Sequence, residues 1–282
     1  WSGAVTTTKV FDACDGGDLQ VLLATIRDRH PGSKIAAMGM SAGANILLRH
    51  LAKLGDQAGI VAGMSVCNGF ESSLVYNLSK HGPMGKLYSM GLAKKMCECI
   101  TKNEAVLSSK ISVKDAVKST TSFPAFIQFC TLSGLYDFPT PEDFFGKNEC
   151  RSGLPQVRCP VLFLQPKDDP LFAPSVEALI PYADLGANDK FMYFQSKYGG
   201  HLGFLEGRGL ARNKVCFHNR VLQTWLQWIM DTLLPDEPCA EATSPAPATD
   251  GDDPANLSKD TLLDPLTGGA PTSEEGRQVA EW

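Results

Sequence analysis

KIAAMGMSAGANILLR, residues 34–49, decides the fold. Ile35, Ala36, Ala37 and Met38 form a short run of small and apolar side chains, the pattern of a strand buried on both faces of a parallel sheet. Gly39-Met40-Ser41-Ala42-Gly43 interrupts it, and Ala44, Ile46, Leu47 and Leu48 follow as a helical run. The order is strand, G-x-S-x-G turn, helix. In such a turn the serine backbone is strained and its hydroxyl is lifted above the sheet; a side chain at either flanking glycine is expected to strike the neighbouring strand or helix. The helix N-terminus points at the same place and favours negative charge there. The five-residue pattern alone is a weak signal because Gly and Ser are common, and the strand before it and the helix after it supply the context it needs.

Upstream, Asp18 is read as the N-cap of a helix carrying Leu19, Val21, Leu22, Leu23 and Ile26 to about Arg29, closed by His30-Pro31-Gly32-Ser33. Downstream, Ile60 to Cys67 reads as a second buried strand that stops at Asn68-Gly69. Strand character returns at Val161–Leu164 and again at Phe191–Phe194, separated by a helix expected from Pro174 to about Ala183. A last helix is expected over Asn213–Leu234, with Val215, Leu222, Trp225, Leu226, Trp228 and Ile229 at helical spacing. Strands alternating with helices predict an α/β fold with a parallel sheet.

Between the second and third strands, residues 70–158 are too long for a crossover and read as short helical pieces: a turn over Leu74–Leu78, a segment from Lys86 to Ile100, an amphipathic stretch from Val113 to Val117, and a Phe-rich region ending at Phe144-Phe145. Insertions of this kind act as lids or caps, while the same aromatics also suit plain core packing. The domain is thus expected over residues 1–235. Beyond Pro235 the residues are Pro, Ala, Asp, Ser and Thr, and 236–282 is expected to be a disordered tail with too little apolar surface to offset the entropy of ordering.

Composition narrows the function classes. Of the 282 residues 43% are hydrophobic and 20% charged, ordinary for a globular protein, and no run is long and apolar enough to cross a membrane as a helix. The net charge of -5 hides an acidic tail, where 11 acidic residues face 2 basic ones, so the body is mildly basic at +4. Nucleic-acid binding needs a clustered basic face; Lys94-Lys95 and the lysines from Lys102 to Lys118 read as a solvated surface. Nine cysteines follow no repeating pattern, several within apolar runs, which suggests reduced, mostly buried thiols and a reducing compartment. Cys97-Glu98-Cys99 is not a zinc spacing and no His-rich cluster lies near it, so no metal is expected, and chemistry on a nucleophilic serine implies no cofactor.

A nucleophilic serine needs a base within hydrogen-bond reach and a carboxylate to orient that base. Asp169 follows the third strand and His201 the fourth, which brings both to the C-terminal edge of the sheet, beside Ser41. His30 is in a turn, His50 on the elbow helix, His81 in the insertion and His218 on the last helix, and each reads as structural or solvated. Asp168 competes with Asp169; the preference for Asp169 rests on Pro170, which fixes the bend after it. The backbone N–H of Ala42 is the expected oxyanion donor.

GMSAGANILLRHL, SVCNGF, CPVLFLQPKDDP and YGGHLGF, in that order, resemble the alpha/beta-hydrolase superfamily, and within it the plant embryogenesis-associated (EMB8-like) proteins, the bacterial YheT-like hydrolases and the animal abhydrolase-domain lipases. The likeness runs from about Asp18 to Leu234. It implies the α/β-hydrolase fold, Ser41 as nucleophile, Asp169 as acid, His201 as base, and a small-molecule ester or lipid as substrate, such as an acylglycerol, a phospholipid or a short-chain acyl ester. Two departures stand out. Gly69 occupies a position where the family usually has proline. The chain also starts at Trp1, inside the family's domain, so the strands before Asp18, a second oxyanion donor and any membrane anchor are expected to precede the residues given, and the printed chain is expected to be a weak enzyme. An acyltransferase using the same three residues, and a non-catalytic binding module on the same fold, are the competing readings.

Overall fold

The structure, a computed structural model, describes residues 5–8, 10, 16–71, 73, 82–172, 176–208, 211–212 and 215–233. The expected Leu74–Leu78 turn, Pro174 and the tail from Asp236 lie outside them. Four strands, β1 (Ala36–Met40), β2 (Ala62–Val66), β3 (Val161–Pro166) and β4 (Phe191–Ser196), form one parallel sheet in the order β1-β2-β3-β4. The registers Met40 against Val66, Val66 against Leu164, and Pro166 against Ser196 align the C-terminal ends of all four along one edge.

Central strands β2 and β3 are buried throughout, as their unbroken apolar runs require. By contrast β1 is only partly covered, because β2 is its one strand partner among the described residues, and the expectation of burial on both faces fails there. Helices α1 (Gly17–Arg29) and α2 (Ala42–Leu54) cover one face, where Leu23, Leu47, Leu48 and Leu51 pack with Val161 and Phe163. The other face is covered from the C-terminal side of the chain, where Trp225 and Ile229 pack on Met64, Val66 and Leu164, and Trp225 Nε1 donates to the Gly63 carbonyl at 3.2 Å.

Between β2 and β3 lie α3 (Gly82–Lys102), α4 (Glu104–Leu107), α5 (Val113–Ser119), α6 (Phe123–Leu132) and α7 (Pro141–Asn148). Ser112, Ser122 and Thr140 cap α5, α6 and α7, each accepting the N–H three residues on. These helices build a core of their own from residues such as Ile100, Leu107, Phe126, Ile127 and Phe144. After β3 the chain forms α8 (Tyr182–Gly186), and α9 (Phe217–Leu233) ends the described residues.

Three helix expectations also need correction. Asp18 does not cap α1; Gly16 holds the cap position and Asp18 lies in the first turn, where its charge suits the helix N-terminus. The helix expected near residues 174–183 is instead a short turn at Glu177–Leu179 followed by α8, because Pro181 has no N–H and holds Ile180 extended at ψ 124°. The final helix starts at Phe217 rather than Asn213, since the Phe217 N–H is bonded to the Phe204 carbonyl at 3.1 Å, which leaves Val215 outside the helix and 43% exposed.

The two elbow glycines also differ. A Cβ on Gly39 would sit 2.4 Å from the Gly43 carbonyl oxygen and 2.6 Å from Ala44 Cα, whereas one on Gly43 meets nothing within 4 Å. The collision expected at either glycine therefore holds for Gly39 alone: α2 rises directly over β1 there, while Gly43, second in the helix, faces open space. Gly39→Ala should lower unfolding stability by about 3 kcal/mol through forced backbone movement, and Gly43→Ala should raise it by up to about 1 kcal/mol through helix propensity. Urea unfolding of both variants checks this, and equal losses would contradict it.

Candidate active site

Strands β1, β3 and β4 each deliver one group of the candidate site beyond their C-terminal ends. After β1 comes Ser41, a non-glycine residue at φ 53°, ψ -122°, in a left-handed region where side chains cost about 1–3 kcal/mol. The strain is held from both sides: the Ser41 N–H donates to the Val66 carbonyl at 2.9 Å, and its own carbonyl accepts the Ala44 N–H at 3.0 Å. Ala42, as the first helical residue, has no carbonyl one turn earlier in the helix for its N–H to meet, and it lines the cavity beside Ser41.

The structure brings Ser41, His201 and Asp169 together in a relay. His201 Nε2 is 2.8 Å from Ser41 Oγ and His201 Nδ1 is 2.9 Å from Asp169 Oδ2. Asp169 has a side chain with no solvent exposure, and its second oxygen accepts the Leu171 N–H at 3.0 Å within the turn Pro170–Phe172. That turn opens at Pro170, as the bend argument for Asp169 requires. Its neighbour Asp168 is exposed and points elsewhere, accepting the Gly200 N–H at 2.8 Å. It braces the loop that carries His201, a role the sequence did not disclose.

The His201 loop is built tightly. A Cβ on Gly199 would come within 2.6 Å of the Phe204 ring and 2.8 Å of Pro166, and Gly200 has φ +55°. The imidazole is also held edge-on by Phe172, with ring centroids 5.8 Å apart. Phe172 in turn fills the space beside Gly69, where a Cβ would meet its ring at 2.6 Å. The departure from proline at this position thus accompanies a ring that a larger residue would displace.

Sequence reasoning missed Cys67. It follows β2, is fully buried at φ 52°, and its sulfur lies within 4.8 Å of ligand-type atoms of both Asp169 and His201. Burial, reinforced by the Asp169 carboxylate, pushes its thiol far above the ordinary cysteine range, so it stays protonated. These are the described residues closest to a metal-ligand set, yet His201 already spends both ring nitrogens on Ser41 and Asp169, and ligation would dismantle the relay. The signal for Cys67 was its place before Asn68-Gly69, at the same strand edge as the others.

A cavity of about 210 Å³ opens on Ser41 and His201. Its walls are apolar and come largely from the insertion, through Leu92, Met96, Phe126, Ile127, Phe144 and Phe145. Lining this cavity and packing a core are therefore not alternatives, because Phe126 and Phe144 do both. A buried polar clamp ties the insertion to the elbow helix: Asn45 Nδ2 donates to the Asn148 carbonyl at 2.6 Å, and Asn148 Nδ2 donates to the Phe144 carbonyl at 3.1 Å.

No family model matches the chain. Among curated proteins it is similar to a monoacylglycerol lipase of Saccharomyces cerevisiae, 24% identical over 252 residues that cover 84% of this chain and 55% of the relative. A medium-chain fatty acid ethyl ester synthase/esterase 2 of the same yeast is 23% identical over 222 residues, covering 72% of this chain and 48% of its own. The phospholipase ABHD3 of Mus musculus is 23% identical over 229 residues, covering 81% of this chain and 54% of its own. The chain spans about half the length of the curated relatives it matches. These relatives match across most of the chain, and its parallel sheet with a serine elbow after the first described strand is an α/β-hydrolase fold.

Proposed function

We propose that this chain carries the reacting groups of a serine hydrolase that cleaves carboxylic esters of the acylglycerol, phospholipid or short-chain acyl kind. One observation supports this most: a complete Ser41–His201–Asp169 relay, at 2.8 and 2.9 Å, opens into an apolar cavity. Ser41 Oγ attacks the ester carbonyl carbon as His201 Nε2 takes its proton. Asp169 orients the ring and stabilises the imidazolium. Negative charge on the carbonyl oxygen falls to the Ala42 N–H at the start of α2. Collapse of the tetrahedral species expels the alcohol, which takes the proton from His201, and leaves an acyl group on Ser41. Water, deprotonated by His201, then releases the acid. The acyl chain suits the cavity between the elbow helix and the insertion.

The relatives' names support a lipid-like ester, being a lipase of monoacylglycerol, a phospholipase and an ester synthase/esterase. The last name keeps open transfer of the acyl group to an alcohol in place of water, which needs no further protein group. Hydrolysis measured with added ethanol separates the two outcomes, since a transferase yields the ethyl ester in place of acid.

Ser41→Ala and His201→Ala should each lower kcat for p-nitrophenyl butyrate by on the order of a thousandfold or more. Asp169→Asn should be comparably damaging, while Asp168→Asn, which keeps an acceptor for the Gly200 N–H, should be mild. Near-normal turnover by either of the first two variants would remove the assignment of Ser41 and His201. The Gly69 position gives an independent check on the geometry. Gly69→Ala must displace the buried Phe172 ring and with it the His201 imidazole, so kcat should fall by about 10- to 100-fold, alongside a stability loss of about 1–3 kcal/mol from overpacking. Unchanged kcat would show that Phe172 does not position the base.

A further inference from the structure

We propose that the outward face of α3 is a docking surface for an anionic lipid membrane. This helix has two apolar faces. On one, Leu92 and Met96 reach the cavity beside Ser41. On the other, Met84, Leu87 and Met90 are 57%, 58% and 56% exposed, with Tyr88 at 36%, all within two turns. Met84, Leu87 and Tyr88 stand at the three- and four-residue spacing that aligns side chains on one helix face. Scattered exposed apolar residues need no explanation, but a continuous stripe of flexible methionines and leucine on a 21-residue helix marks a contact surface.

Charge identifies the partner. Residues 82–118 contain seven lysines, all exposed, against three acids, a net of +4 within a chain whose total is -5. Lys86, Lys94, Lys95 and Lys102 stand on α3 itself, and Lys114 and Lys118 on α5, which packs against it. Only Lys95 among those on α3 has an acidic partner in the described residues, at 2.9 Å from Glu98. An apolar stripe flanked by lysines is what an amphipathic helix presents when it lies in the plane of an anionic bilayer, apolar side chains among the acyl chains and ammonium groups at the headgroups. A second copy of the chain is disfavoured, because two such faces would bring like charges together. No helix of the described residues is long and apolar enough to cross a membrane, which leaves α3 lying on the surface as the geometry that buries the stripe. Resting on the ester-hydrolase reading, this arrangement would set membrane lipid against the helix whose opposite side lines the acyl cavity.

Cosedimentation with phosphatidylcholine vesicles, with and without phosphatidylserine, tests it. The protein should pellet with the phosphatidylserine vesicles, much less with phosphatidylcholine alone, and less as salt is raised. Lys86→Ala and Lys94→Ala should each weaken binding by about fivefold. The pair Leu87→Glu with Met90→Glu should abolish it, with an unchanged melting temperature and unchanged turnover of soluble p-nitrophenyl butyrate. Failure to pellet, or equal pelleting of the Glu pair, would overturn the proposal. So would a dimer in vesicle-free solution that the Glu pair dissolves, since that assigns the face to a second copy. Vesicle binding by a protein inert toward the soluble ester would overturn the hydrolase reading and uphold the docking surface.

Discussion

Ser41 at φ 53° is the constraint on which the rest of the site depends. A serine in that conformation persists only where its neighbours leave no relaxed alternative, and here β1 pairs into the sheet on one side while α2 packs onto the core on the other. Gly39 makes the turn possible by leaving room for the Gly43 carbonyl. All five positive-φ non-glycine residues among those described, Ser41, Cys67, Phe70, Leu202 and Phe204, lie after strands β1, β2 and β4 on the same side of the sheet. Strain is thus concentrated where Ser41, Asp169 and His201 converge and is sustained by the buried strands beneath them.

Parallel register converts that local feature into a site. Because the four strands end in step, the residues just past each end become neighbours although Ser41 and His201 are 160 positions apart. This is why strand ends read from hydrophobic runs were enough to assemble Ser41, Asp169 and His201 in the sequence. Periodicity could not choose between Asp168 and Asp169, and the choice rested on Pro170; the structure places the two carboxylates on different partners, one on the His201 ring and one on the Gly200 N–H.

What stayed illegible depends on contacts between distant segments. Nothing local in the sequence indicates that Phe172 fills the space beside Gly69, that Asn45 meets Asn148, or that the Cys67 thiol faces the relay. Local rules also failed where tertiary contacts or a proline intervened: the bond from Phe217 to Phe204 delayed the last helix, and Pro181 divided the expected one before β4. For the insertion, hydrophobic content alone could not separate cavity lining from core packing, because Phe126 and Phe144 do both.

The central claim is that Ser41 is a nucleophile activated by His201. Intact-mass measurement after treatment with an alkyl fluorophosphonate tests it most directly, since the reagent phosphonylates only a serine whose proton a base removes. The account predicts one adduct, located at Ser41 by peptide mapping, and its loss in His201→Ala. An adduct elsewhere, or equal labelling of Ser41 in the His201→Ala protein, would contradict it.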